Sequence, residues 1–304
     1  MSEEMGDDTR DKYAANAVAK TWLVSFDQIV RQDADAAHLL QYMSCIEWKA
    51  IPRSILPVIE PEARMTTAIG ILWSYSFITT RNDSKTFDMH RLVHVAARVW
   101  VQQKGLMMET QRMVLEHLSN IFPSDEHTNR EVWREYIPHA ARVKEFKGEG
   151  LVDDRGKLCL KVGGCLRVDG RIRDAVSWLE ESHDLRKGLP EDHRDRLESQ
   201  HVLAIAYEAD GQVKKAVWLL EHVVAIKERV LAEDHPVRLA SQHNLASAYR
   251  ANGQVKDAVR LLKHVVAIRE RVLAEDHPDR LASQAMLASA YQANGQVKDA
   301  VRLL

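Results

Sequence analysis

The chain has 304 residues, and its 42 Lys and Arg against 44 Asp and Glu leave a net charge of −2. That balance offers no attraction to a nucleic-acid backbone or an anionic membrane surface. Three scattered cysteines (Cys45, Cys159 and Cys165) and an acidic opening, MSEEMGDDTRDK, argue against a disulfide framework and a targeting signal, so a soluble, cytoplasmic protein is expected.

In chain order, residues 1–12 read as a disordered tail. Val18, Trp22, Phe26 and Ile29–Val30 then fall on one face of a first helix, and Asp35 is placed to cap a second one carrying Leu39, Leu40, Met43 and Ile46. Pro52 and Pro57 interrupt the chain. Pro61 opens a third helix that presents Met65, Ala68, Ile69, Leu72 and Trp73. Phe77–Thr80 and Thr86–Met89 flank Asn82-Asp83-Ser84 as a β-hairpin, and His90–Gln103 is helical through Leu92, Val95, Ala96, Val99 and Trp100. Over residues 13–104 this is the order of a winged-helix-like domain. Its third helix has Arg64 as its only base and its hairpin adds Arg81 and Lys85, too little to grip phosphates, so no nucleic-acid partner is expected.

Phe87–Arg98, FDMHRLVHVAAR, is similar to the end of the winged-helix segment of NB-ARC proteins, the signalling ATPases of the NOD-like receptor class. SFDQI, LLQYMSCI and IPRSILP, within Trp22–Pro57, resemble the same region of fungal members with tetratricopeptide tails. The resemblance implies that Met89 and His90 are remnants of a Met-His-Asp motif whose histidine senses a nucleoside diphosphate; Arg91 stands where the aspartate would be. The phosphate-cradling pattern G-x-x-x-x-G-K-[ST] does not occur. In Gly150–Lys157 five residues separate the glycines and Leu158 replaces the hydroxyl, so that stretch reads as a polar linker and no cofactor is expected.

Residues 105–150 read as a helical spacer. Met113, Leu115, Leu118 and Phe122 form one apolar set, Trp133, Tyr136, Ile137, Val143 and Phe146 another, and Pro123 and Pro138 mark breaks. Its expected task is to cap a repeat array, because the first unit of such an array otherwise leaves an apolar face in water.

Residues 151–304 form that array, with three complete units and one partial one. AYEADGQVKKAV at Ala206–Val217 recurs at Ala248–Val259 and Ala290–Val301, 42 residues apart. Residues 212–253 and 254–295 differ only at 215/257, 218/260, 221/263, 227/269, 237/279, 243/285, 244/286 and 250/292. Each unit reads as two helices: one ending at Gly253, a second carrying Val255, Ala258, Leu261, Leu262, Val265 and Ile268, and a stop at Glu275-Asp276-His277-Pro278. An earlier, degenerate unit spans Lys157–Val168 and Arg171–Arg186, and Gly163-Gly164 weakens its first helix by ~1 kcal/mol per glycine. Leu245-Ala246, Tyr249, Gly253, Ala258 and Pro278 resemble the tetratricopeptide (TPR) pattern in its kinesin-light-chain subtype. The overall expectation is an all-α chain: a winged-helix-like N-terminal domain with a small β-hairpin, then a TPR α-α superhelix.

The resemblance implies a protein- or peptide-binding groove lined by the first helix of each unit. Laid on the Leu-Ala pairs, the family pattern gives His201, Ile205 and Glu208, then His243, Ser247 and Arg250, then Ala285, Ser289 and Gln292; Asn244 falls where the family often has an asparagine for a peptide backbone. Positions 243/285, 244/286 and 250/292 differ at or beside this lining, which points to groove diversification. The second-helix differences at 215/257, 218/260, 221/263 and 227/269 are expected to reach water.

Other chemistry is not expected. His90 and His94 stand four apart, but Arg91 replaces the glutamate of H-E-x-x-H and a third ligand is missing, so no metal is assigned. His193, His235 and His277 recur with the repeat and belong to turns. The chain reads as a segment of a longer architecture whose uncovered end at Ala300, Leu303 and Leu304 would fray or self-associate. The favoured function is a non-enzymatic interaction scaffold, the sensor or adaptor portion of a NOD-like-receptor-type protein. The alternatives are the regulatory part of a nucleotide-gated ATPase with its P-loop domain supplied in trans, and a kinesin-light-chain-like cargo adaptor. The latter needs a heptad coiled coil that is not found.

Overall fold

The computed structural model describes residues 21–81, 85–146, 148 and 150–303. The expected disordered tail, Val18, the hairpin turn Asn82-Asp83-Ser84 and Leu304 lie outside them. The chain forms two compact units, Met1–Val162 and Gly163–Leu304.

In the first unit, helix α1 (residues 21–32) buries Phe26 and Ile29. Helix α2 (Ala34–Cys45) is capped by Asp33, whose Oδ1 accepts from Ala36 N at 2.7 Å. Asp35, expected to be the cap, lies in the first turn, where its carboxylate accepts two bonds from Arg64. Strand β1 (Ile51–Pro52) was not anticipated. It pairs antiparallel with β3 (Thr86–Met89), which also pairs with β2 (Ile78–Thr80), giving the order β1-β3-β2. Pro52 is tolerated because an edge strand has one side on which no ladder donor is required.

Two apolar faces agree only in part with the expected ones. Helix α3 (Glu62–Ser74) buries Met65, Ala68 and Leu72 but leaves Trp73 62% exposed. Helix α4 (Arg91–Gln103) buries Val93, His94, Ala96, Ala97, Trp100 and Val101, leaving Leu92, Val95 and Val99 exposed. In α4 both stripes have helical spacing, so periodicity alone could not choose between them. The strands and α2 choose: His94 Nε2 lies 3.0 Å from Ile46 O, in the core. Helices α5 (Met107–Ile121) and α6 (Arg130–Lys144) lie in the stretch read as a spacer, within the first unit. Pro138 does not break α6. A mid-helix proline costs about 3 kcal/mol, and the burial of Trp133, Tyr136, Ile137 and Ala140 outweighs it.

Helix α7 (Val152–Val168) takes in most of the supposed polar linker, and the division between the units falls inside it. The second unit continues as antiparallel helix pairs: α8 (Ile172–Leu185), α9 (Arg194–Ala209) with α10 (Val213–Val230), α11 (Pro236–Ala251) with α12 (Val255–Val272), and α13 (Pro278–Ala293) with α14 (Val297–Leu303). Each first helix begins at a histidine whose Nδ1 accepts a backbone N–H two residues on: His193 from Asp195, His235 from Val237, His277 from Asp279. Each ends at a glycine with φ near +78°, at Gly211, Gly253 and Gly295, where a side chain would be strained. The repeat histidines are therefore helix caps.

At the C-terminal end Ala300 is fully buried and Leu303 packs against the cluster of Leu262, Leu287 and Tyr291. Those residues were expected to lie open. The side chains left outward are instead Val297 and Val301, the latter 70% exposed.

Gly163 has a packing reason that helix propensity hides. A Cβ built there would stand 2.5 Å from Leu179 Cγ and 2.7 Å from its Cδ2, so α7 and α8 meet at the glycine. Gly163→Ala should therefore destabilise by about 1–2 kcal/mol, overpacking outweighing the gain in helix propensity. Urea denaturation measures this, and a more stable variant would contradict the close contact.

Candidate functional site

The positions expected to line a groove stand on α9, α11 and α13, and the structure joins several of them across repeats. Ser247 Oγ donates to Glu208 Oε1 at 2.6 Å. His201 lies between Asn244 Nδ2, 3.0 Å from its Nε2, and Ser241 Oγ, 3.2 Å from its Nδ1. His243 Nδ1 lies 3.2 Å from Ser283 Oγ one repeat on. Ile205 and Ser289 are half-buried; Arg250, Ala285 and Gln292 are exposed. The wall is thus part cross-linked and part open, and Asn244 bonds a histidine.

The hydrogen bonds fix the state of His201. Asn244 Nδ2 is a donor, so Nε2 accepts and the proton sits on Nδ1, directed at Ser241 Oγ. Ser241 in turn donates to Val237 O at 3.0 Å and accepts from Lys227 Nζ at 2.7 Å. A second proton on His201 would oppose a donor to a donor. Burial pushes its pKa down to about 4, and the charges of Lys227 and Arg167 push the same way.

Lys227 and Arg269 were expected to reach water and do not, being 5% and 4% exposed. They project from the second helix of one repeat beneath the first helix of the next, where Ser241 and Ser283 accept from them. The other second-helix differences also meet neighbours. Glu221 Oε1 accepts from Tyr249 OH at 2.8 Å, while its counterpart Lys263 sits over the Tyr291 ring, 5.7 Å from the centroid. Burial and this carboxylate raise the Tyr249 pKa to about 12. Trp218 is exposed as expected and stacks on His222. The signal for the buried cations lay in the sequence: long cations at 227/269 recur with serines at 241/283.

In the first unit Met89 is buried in β3 and His90 is the exposed cap of α4, its Nδ1 accepting from Leu92 N. Both line a cavity of about 550 Å³ with Trp22, Trp48, Tyr75 and Asp88. His90 and His94 do not converge, since His94 is turned inward to Ile46 O.

His201 carries a pH prediction. Its folded pKa of about 4 lies below the ordinary 6.5, so it contributes stability above pH 6.5 that is lost as the pH falls through 4. The stability difference between wild type and His201→Gln, measured by urea denaturation, should shrink from about pH 7.5 to about pH 4.5. A constant difference would show that His201 accepts its second proton without cost.

Tetratricopeptide-repeat family models match residues 157–229 and 238–279. A "Nucleotide-binding leucine-rich repeat (NLR)-like protein" of Hyaloscypha variabilis is 34% identical over 206 residues; the match takes in 66% of this chain and 20% of that protein, so the chain spans about a fifth of the relative's length. Among solved structures, nearly identical TPR-like repeats of a kinesin light chain candidate from Podosopora anserina are 38% identical, with 68% of this chain and 87% of that chain covered and a TM-score of 0.45. BtubC (BKLC) from P. vanneervenii is 17% identical, with 68% and 79% covered and a TM-score of 0.49. By its repeated helix pairs, its histidine and glycine caps and both family matches, the chain is a tetratricopeptide-repeat protein, and over 206 residues it is similar to part of an NLR-like fungal protein.

Proposed function

We propose that the chain is a non-enzymatic, cytoplasmic interaction scaffold, the sensor or adaptor portion of a NOD-like-receptor-type protein, and that the faces of α9, α11 and α13 hold a peptide or protein partner. One observation carries the reading. Between repeats that are otherwise nearly copies, Arg250 gives way to Gln292 and His243 to Ala285, and three of these four side chains stand exposed, while the buried Leu245, Ala246 and Ala248 recur as Leu287, Ala288 and Ala290. Exposed positions that vary over a constant frame are where recognition is tuned.

The exposed wall is the place to test it. Arg250→Glu combined with Gln292→Lys alters two exposed side chains and should change stability by no more than about 0.5 kcal/mol. The double variant should capture its partner from an extract of the source cells at least about 10-fold less well than wild type. Equal capture by both proteins would remove the groove assignment. Asn244 is left intact because its loss would also unseat His201.

A second reading, the regulatory part of a nucleotide-gated ATPase, is favoured by the place of His90 beside the aromatic cavity of the first unit. ADP, added with a P-loop partner, should then slow diethyl pyrocarbonate modification of His90. An unchanged rate counts against it.

A further inference from the structure

Two of the eight repeat differences, 227/269 and 237/279, meet at the same kind of seam, between a second helix and the first helix of the following repeat. Between α12 and α13 the buried Arg269 donates to Asp279 O at 2.7 Å, bonds Ser283 and has the Asp279 carboxylate 4.0 Å away. Between α8 and α9 the equivalent Arg186 is equally buried and donates to Asp195 O at 3.0 Å, with aspartate again at that repeat position. Only between α10 and α11 is the pair Lys227 and Val237. The aspartate is gone, and the cation remains.

Lys227 has three N–H donors and spends one of them on Ser241 Oγ. Among the described residues no carboxylate pairs with it; the opposite charge acting on it is Glu198, which stays exposed on α9. Burial outweighs that charge and brings its pKa down to about 8. A cation 5% exposed and without a counter-ion is costly to keep, and an anion brought to it regains that cost. Lys227 also lines a cavity of about 670 Å³ whose apolar wall includes Leu197, Val202, Val230 and Val237. Asp192, Arg194 and Glu198 also line it, as exposed charged groups, so Lys227 is the one buried charge beside the apolar wall; that size and lining suit a small molecule better than an extended peptide.

We propose that this cavity binds a small monocarboxylic acid with an apolar body, its carboxylate accepting from the two remaining donors of Lys227. The proposal does not rest on the groove reading, although the two surfaces share His201 and its hydrogen bonds.

Calorimetric titration of the full chain at about pH 7 with hexanoate, with hexanol and with an N-acetylated, C-amidated Leu-Glu-Leu tripeptide tests the proposal. Hexanoate should bind at least about 10-fold more tightly than hexanol, and Lys227→Met should lose at least about 10-fold of that affinity. The variant should keep its melting temperature, because an apolar isostere of a buried ion is usually tolerated. Glu198→Gln removes a carboxylate that competes for Lys227 and should tighten hexanoate; if Lys227→Met fails to fold, unchanged affinity in Glu198→Gln overturns the proposal. Equal binding of hexanoate and hexanol, or hexanoate binding that survives Lys227→Met, also overturns it. A tripeptide bound more tightly than hexanoate would overturn the small-molecule assignment and give the cavity to an acidic side chain of a partner. Partner capture that persists in Lys227→Met leaves the groove reading standing whatever the titration shows.

Discussion

Close approach of paired helices is the constraint on which the repeat array depends. Ala204, Ala216, Ala246, Ala258, Ala288 and Ala300 are all essentially without solvent contact, and each stands where the two helices of a hairpin meet. A larger side chain at these points would push the helices apart and open voids around Leu220, Leu262 and Leu287, which close packing does not allow cheaply. The degenerate first pair keeps the same contact by a different route, with Gly163 against Leu179.

Once the hairpins are this tight, the seams between repeats become the place where polar groups are buried. A cation from a second helix runs under the next first helix and ends on a serine, Lys227 on Ser241 and Arg269 on Ser283. Buried charge of this kind adds little net stability, but it fixes register, because the cation must find its acceptor or remain unsatisfied. The histidines above it, His201 and His243, are held to the same serines, so the floor of the candidate groove and its wall share one hydrogen-bond network. A change at the floor is therefore felt on the wall of the candidate groove.

The N-terminal unit is organised differently. Its small sheet is closed on one side by β1, and the Asp88 carboxylate accepts from Ala50 N at 2.7 Å and from Arg81 Nε at 2.8 Å. Arg64 is likewise held by Asp35. Two of the three cations considered for phosphate contact thus have carboxylates within the domain, and the exposed stripe of Leu92, Val95 and Val99 is the more distinctive feature of its surface.

By itself the sequence determined the repeat period, the helix pairs, the glycine stops and the histidine turns. These are local properties: backbone freedom at Gly253, the His277-Pro278 cap, and apolar spacing along α12 read the same in any context. Through the family pattern it also suggested candidate groove positions, which remain a proposal. Tertiary structure alone decided which stripe of α4 faces inward, that Ile51–Pro52 joins the sheet, and that Pro138 stays within a helix. It likewise decided that Lys227 and Arg269 are buried, that Asn244 is bonded to His201, and that Val237 leaves one cation without its aspartate. These outcomes depend on what a neighbouring element brings to the same point, and burial and pairing are properties of that meeting, which spacing along the chain does not encode.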